Sequence, residues 1–319
     1  MRYQKKYHSC LKDYGKIGFG ASPSIETKLQ KCYSKFIYSI LEDTMKKIIA
    51  LLVVLALALP VIAAGQTDVS AMEKIKANGK IILGTSADYP PYEFHALIDG
   101  KDTIVGFDIS IAEEIAKDLG VQLEIKDMNF DGLLAALVSG NVDFVISGMT
   151  PTEERKQNVD FSDIYYEAVH GAVIRKADVA KYGSNPASLK DVMIGAQKGA
   201  IQVGIAKEQI KGVTGAALDN NHPQIKELGT LPDLIMEVKN NKIEAVIAEL
   251  PVAKAYVAAN PDLILADFTF QDTEGGSAIA LKKGNADLVA AINATIARLV
   301  AEDKITTFVG EASLMADAQ

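Results

Sequence analysis

Ser147-Gly148-Met149-Thr150-Pro151-Thr152-Glu153-Glu154-Arg155 is the stretch whose residue types and spacing point most directly to chemistry. Val142 to Ser147 (VDFVIS) is short, apolar and β-branched, as a buried parallel strand is. Thr150 stands three residues before Glu153, the spacing of a capping box, and Pro151 falls at the first helical position. The pattern therefore predicts a strand running into a helix capped by Thr150. A helix N-terminus presents unpaired backbone N–H groups and the positive end of its dipole, which together favour an anion. Arg155, one turn in, adds a planar fork of donors that matches a carboxylate. The stretch reads as a seat for a small carboxylate. The same residues also suit an ordinary capped helix with a solvent-facing arginine, and by themselves they do not choose between the two.

The surrounding chain alternates short apolar strands with amphipathic helices, the pattern of parallel α/β lobes. Ile81 to Thr85 reads as the first strand, followed by a helix over 109–119 capped by Asp108. Val121 to Lys126 is a strand, and 133–138 is the apolar part of a short helix ending near Gly140. A second cycle begins near Gly171, with strands at 172–174 and 192–196 and a turn at Gln197-Lys198-Gly199-Ala200. Ile243 to Ala248 matches Val142–Ser147 in character and runs into Glu249-Leu250-Pro251, where the proline suits a helix start. A return strand at 278–281 and a helix over 286–300 complete the series. Open α/β sheets bind ligands beyond the carboxyl ends of their strands. Two such edges facing each other make a cleft. Asp108 and Asp131 read as structural caps, and Tyr165 and Tyr166 as packing near a crossover between lobes.

The bulk composition narrows the function classes. Met45-Lys46-Lys47, the twelve apolar residues from Ile48 to Leu59 and the small residues up to Gly65 have the order of a secretory signal peptide. The expectation is that translation begins at Met45, that residues 1–44 are an upstream over-extension and that 45–65 is the leader. Ten of the 33 lysines and arginines, but four of the 41 acids, fall in residues 1–65, which leaves a net charge of −14 on the rest. An acidic chain of this kind is a poor partner for nucleic acid or anionic membrane. Both cysteines, Cys10 and Cys32, precede residue 45, so the exported part has no disulfide framework, and no lipid-anchoring cysteine follows the leader. A monomeric protein, released in soluble form into the periplasm or otherwise outside the cytoplasm, is expected. The four histidines show no ligand spacing, so no metal is expected, and Gly15-Lys16-Ile17-Gly18-Phe19-Gly20 follows no strand and is no dinucleotide site. No cofactor is implied.

Taken in order, GTSADYPPYEF (84–94), VGFDISIAEEIA (105–116), the run from Phe130 to Tyr166, IGAQKGA (194–200) and KIEAVIAELPVAKAYV (242–257) resemble the family 3 extracellular solute-binding proteins, the amino-acid receptors of ABC importers. The resemblance spans about residues 72–315. It implies a periplasmic-binding-protein-like α/β fold of two lobes joined by a hinge, with a free L-amino acid bound in the cleft between them. Lobe 1 is expected over 66–170, with 271–319 returning to it, and lobe 2 over 171–270. By the same resemblance Arg155 holds the ligand carboxylate together with Thr150 and the backbone around Gly148 and Ala200–Ile201. Glu249 matches the acid that accepts the α-ammonium, Tyr89 and Phe130 the aromatics that sandwich the ligand side chain, and Ser86, Ser147 and Gln197 line the pocket. The implied partner is an ABC transporter permease.

The physical chemistry agrees with those roles. A zwitterion leaving water needs both charges paired, because an unpaired buried charge costs several kcal/mol. Three positions depart from the family pattern: Glu249 stands where many relatives have aspartate, Ser86 where several binders of basic amino acids have aspartate, and Ile201 replaces a common threonine. The acidity and the YPPYEF and FDGLL segments lean towards a polar or cationic ligand such as arginine. The other class is an enzyme, a periplasmic dehydratase of the same fold acting on a cyclic carboxylate with Glu249 as general acid. No second acid–base group accompanies Glu249, and the sequence favours binding over catalysis.

Overall fold

The computed structural model describes residues 70–271 and 275–318, and scattered helical positions between 30 and 48. The proposed over-extension and leader lie outside the described residues except at those positions. Residues 69–319 form one compact unit. Among the described residues no helix is long and apolar enough to cross a membrane.

Thirteen strands are described: β1 (Lys80–Thr85), β2 (Asp88–Tyr89), β3 (Glu93–Ile98), β4 (Lys101–Val105), β5 (Gln122–Asp127), β6 (Phe144–Val145), β7 (Val159–Tyr166), β8 (His170–Arg175), β9 (Ile194–Gln197), β10 (Ile225–Leu228), β11 (Ala245–Glu249), β12 (Leu263–Phe270) and β13 (Ser277–Lys282). They build two five-stranded sheets, ordered β5-β1-β6-β13-β7 and β10-β9-β11-β8-β12, and a three-stranded sheet β2-β3-β4. The fold is the two-lobed α/β architecture, but neither large sheet is purely parallel. β13 runs antiparallel to both of its neighbours, and so does β8. Each is the strand by which the chain enters a sheet from the other lobe, β8 from β7 and β13 from β12. A strand that starts at the shared edge must run away from it, whereas the others run towards it. Reversal of one strand per sheet therefore follows from crossing between lobes. The loops beyond Thr85, Val145, Gln197 and Glu249 all open onto that shared edge.

Helices cover the sheets through stripes at helical spacing. The helix Phe107–Leu119 buries Phe107, Ile111, Ala112, Ile115 and Ala116, and Ala286–Ala301 buries Leu288, Ile292, Ile296 and Leu299. These side chains share a core with Ile81, Leu83, Ile279 and Leu281. Each fully buried Ile or Leu contributes about 1.5–3 kcal/mol. A C-terminal helix, Lys304–Asp317, carries Ala316 into a small cluster with Phe94 and Ala255.

Three capping expectations are corrected. The helix after Ser147 is four residues, Glu153–Lys156, and its N-cap is Thr152, whose hydroxyl accepts from Arg155 N–H at 3.2 Å. Pro151 holds the residue before it in an extended conformation, so the helix starts two residues later than the capping-box spacing implied. Asp108 lies inside its helix, which begins at Phe107 after Gly106 and has no side-chain cap. Asp131 likewise caps nothing, because Asn129 precedes the short turn Phe130–Gly132 and Asp131 pairs with Lys198 at 2.8 Å.

Candidate functional site

Nine of the ten residues expected at the site line one cavity of about 310 Å³ between the lobes: Ser86, Tyr89, Phe130, Ser147, Gly148, Thr150, Arg155, Gln197 and Ile201. Ser86, Ser147 and Gln197 reach it from the carboxyl ends of their strand segments. Thr150, released from capping, is buried and turns into the lining. Gly148 passes between the tyrosines, where an added Cβ would lie 3.4 Å from both the Tyr89 and the Tyr92 ring. Ile201 opens the helix Ile201–Ile205, with Ala200 as its N-cap.

Arg155 is held in place by backbone. Its Nη1 donates to the Thr150 carbonyl at 2.8 Å and its Nη2 to the Gly199 carbonyl, across the cleft, at 2.9 Å. The guanidinium carbon lies 5.4 Å from the centroid of the Phe130 ring, within cation–π range. A planar donor group fixed from two directions loses little further freedom on taking a carboxylate.

Glu249 is placed differently from the other nine. It is buried at the end of β11, outside the cavity lining, and its carboxylate accepts the Tyr92 hydroxyl. Its backbone N–H donates to the Tyr89 hydroxyl at 3.3 Å. The acids in the lining are Asp88 and Glu93, which the motif reading passed over, together with the amide of Gln202. Both acids lie inside the GTSADYPPYEF segment. The available signal was two acids bracketing the Tyr89-Pro90-Pro91-Tyr92 run, directly after the first strand.

These carboxyls form one buried polar network. Ser147 donates to Glu93 and accepts the Ser86 N–H at 3.2 Å. Asp108 accepts from Gly148 N–H and from the Tyr165 hydroxyl, each at 2.9 Å. Glu93 Oε2 and Asp108 Oδ1 are buried without another hydrogen-bond donor, the condition of two carboxyls that share one proton. Burial pushes Glu93 well above the ordinary carboxyl range, with the neighbouring Asp108 adding to it. Burial likewise raises Asp108 to about 7, against the pull of Gly148 N–H and Tyr165. Asp88 is raised to about 6 by burial, opposed by hydrogen bonds from Leu231 N–H, Gln197 and Ser86. The site thus holds one guanidinium against a surplus of buried acid.

The lobes meet across the cavity through many hydrogen bonds. Gln202 Nε2 donates to the Tyr89 hydroxyl at 3.2 Å, and the Tyr256 hydroxyl to the Asp88 carbonyl at 2.7 Å. Gly199, at φ +78°, passes so close to Asp131 that an added Cβ would lie 3.1 Å from its Cβ. This is the closed arrangement, in which side chains from both lobes reach one small volume.

Comparison with known proteins agrees with the fold. The model of the bacterial extracellular solute-binding proteins, family 3, matches residues 81–310. The arginine-binding extracellular protein ArtP of Bacillus subtilis is 40% identical over 245 residues, covering 75% of this chain and 87% of that protein. A probable histidine-binding protein of Campylobacter jejuni is 33% identical over 234 residues, covering 73% and 84%. The crystal structure of an amino acid ABC transporter substrate-binding protein from Streptococcus pneumoniae bound to L-arginine superposes with a TM-score of 0.70 at 37% identity, covering 76% of this chain and 98% of that one. These relatives are named as binding proteins, not as enzymes. Two lobes with one reversed strand each, a cavity at their shared edge, and a match across most of the chain make this protein a member of the bacterial extracellular solute-binding proteins, family 3.

Proposed function

We propose that the protein is the exported receptor of an amino-acid ABC importer and closes its lobes on one free L-amino acid with a cationic side chain, of the arginine type. The observation that carries this reading is the imbalance of charge at the cavity: Arg155 alone among cations in the lining, Glu93 within it, and Asp108 and Glu249 directly behind, beside an Asp88 whose carboxylate already takes protein donors. A zwitterion gives its carboxylate to Arg155 and its ammonium to the acids. A second positive charge on the ligand offsets more of the buried acid. A neutral amino acid brings no such charge, and the buried acids then keep the protons that burial favours.

Tyr89 and Phe130 offer apolar ring surface to the ligand stem. Micromolar affinity needs about −8 kcal/mol, a plausible surplus from a paired carboxylate, paired cations and a buried stem. The leader-like segment at 45–65 supports export and translation from Met45; the same proposal includes lobe limits of 66–170 with 271–319 and 171–270, a monomeric state and handover to a permease.

A thermal-shift screen of residues 66–319 against the twenty L-amino acids, ornithine and citrulline tests the proposal. Ligand at a hundredfold excess over Kd adds about 2.7 kcal/mol of stability. Arginine is expected to give the largest shift, with citrulline well behind. A screen in which no amino acid raises the melting temperature overturns it.

A further inference from the structure

We propose that Asp88 is the latch of the closed state: a lobe-1 side chain whose acceptors are filled from lobe 2, so that its loss speeds ligand release without changing ligand choice. The proposal rests on the receptor reading for its kinetics only.

Asp88 starts β2, two residues beyond Ser86, and three lobe-2 elements converge on it. Oδ2 accepts the backbone N–H of Leu231 at 2.8 Å, and Leu231 is the first residue of the helix Leu231–Lys239. Gln197 Nε2, at the end of β9, lies 3.2 Å and 3.3 Å from the two carboxylate oxygens. The Tyr256 hydroxyl, from the helix Leu250–Ala259, donates to the Asp88 carbonyl. From its own lobe Asp88 takes the Ser86 hydroxyl at 3.3 Å. The partners lie 109, 143 and 168 residues away along the chain.

The helix is prepared for this partner. Thr230 caps it by accepting Asp233 N–H at 3.4 Å, which leaves the N–H of Leu231 to an outside acceptor. A carboxylate there is also favoured by the helix dipole. Only closure brings Asp88 to that N–H. When the cleft opens, both return to water, and the charge-assisted bond is lost.

The lining holds a contrast that assigns the role. A carboxylate has about four lone-pair positions. Those of Asp88 face Leu231, Gln197 and Ser86, all protein donors, whereas Glu93 keeps an oxygen with no donor. Asp88 is therefore the lining acid that lobe 2 already completes, whereas Glu93 is held by Ser147 of its own lobe and turns its other oxygen to Asp108.

Two measurements test this. In stopped-flow binding of L-arginine, Asp88→Asn is expected to raise the dissociation rate roughly tenfold and to leave association within about threefold. Its arginine-to-citrulline preference should match the wild type. Tyr256→Phe, which removes a contact on the same residue without touching a charge, should move the dissociation rate in the same direction by less. A dissociation rate at the wild-type value, or a collapse of the arginine-to-citrulline preference, overturns the latch and makes Asp88 a ligand contact. Amide hydrogen exchange at Leu231 reads the same bond without reference to ligand identity. Slow exchange in the closed wild type that becomes fast in Asp88→Ala, which leaves no acceptor for that N–H, supports the latch. Equal exchange in the two proteins overturns it, even if the thermal-shift screen finds no amino acid.

Discussion

Arg155→Ala separates a carboxylate seat from a surface arginine. The substitution deletes the bonds to the Thr150 and Gly199 carbonyls at 2.8 and 2.9 Å and the guanidinium over Phe130. It also leaves the ligand carboxylate inside a closed cleft without its cation. Removing one partner of a desolvated charge pair costs about 2–4 kcal/mol, which is roughly a 30- to 900-fold rise in Kd. The ligand-free protein should lose far less, about 1 kcal/mol or under, because Arg155 is half-exposed and its contacts there are screened. Arg155→Lys keeps the charge but not the fork, so it cannot span the two carbonyls, and it should fall between the two proteins. Isothermal titration with L-arginine, beside a melting curve of each ligand-free protein, reads both quantities. An alanine variant that binds within threefold of the wild type would refute the assignment. So would a loss of binding fully accounted for by a loss of stability.

The remaining predictions concern charge and closure. A buried acid whose folded pKa is raised binds more protons folded than unfolded, so its contribution to stability falls as pH rises between the two values. For Asp88, raised to about 6, and Asp108, raised to about 7, that window runs from about pH 4 to 7 in the ligand-free protein. Denaturation midpoints should show this fall, and Asp108→Asn should flatten it. Ligand cations favour the ionised acids, so affinity for arginine should rise with pH across the same window. Titrations in buffers of different ionisation heat should detect protons released on binding. Gly199→Ala forces a side chain into a left-handed backbone, at a cost of about 1–2 kcal/mol, and pushes it against Asp131 as the lobes meet. It should weaken arginine binding while leaving the ligand-free radius of gyration unchanged by small-angle scattering.

The elements were legible because their signals are local. Ile81–Thr85, the helix ended by Gly140 and the strand before Glu249 each declare themselves within ten residues. The hairpin of β3 and β4 was also written locally, in Asp99-Gly100, both at positive φ, yet it was not read. Thr150 has the capping-box spacing, but the proline that follows it moves the cap to Thr152. The site was harder to read. Asp108 looks like a cap in sequence because its true partners, Gly148 and Tyr165, lie 40 and 57 residues on. The pairing of Asp88 with Leu231 and of Glu249 with Tyr92 joins opposite lobes, and no local pattern encodes it. Chemistry carried within one loop was visible. Chemistry made by closure was not.

The most direct test of the central claim is calorimetric titration of residues 66–319 with L-arginine, agmatine and citrulline. Agmatine lacks the carboxylate that Arg155 would hold, and citrulline lacks the charge that the buried acids would hold. The account predicts one site for arginine at micromolar affinity or tighter, and at least tenfold weaker binding of each of the other two. Equal binding of arginine and agmatine, or no binding of arginine at all, would contradict it.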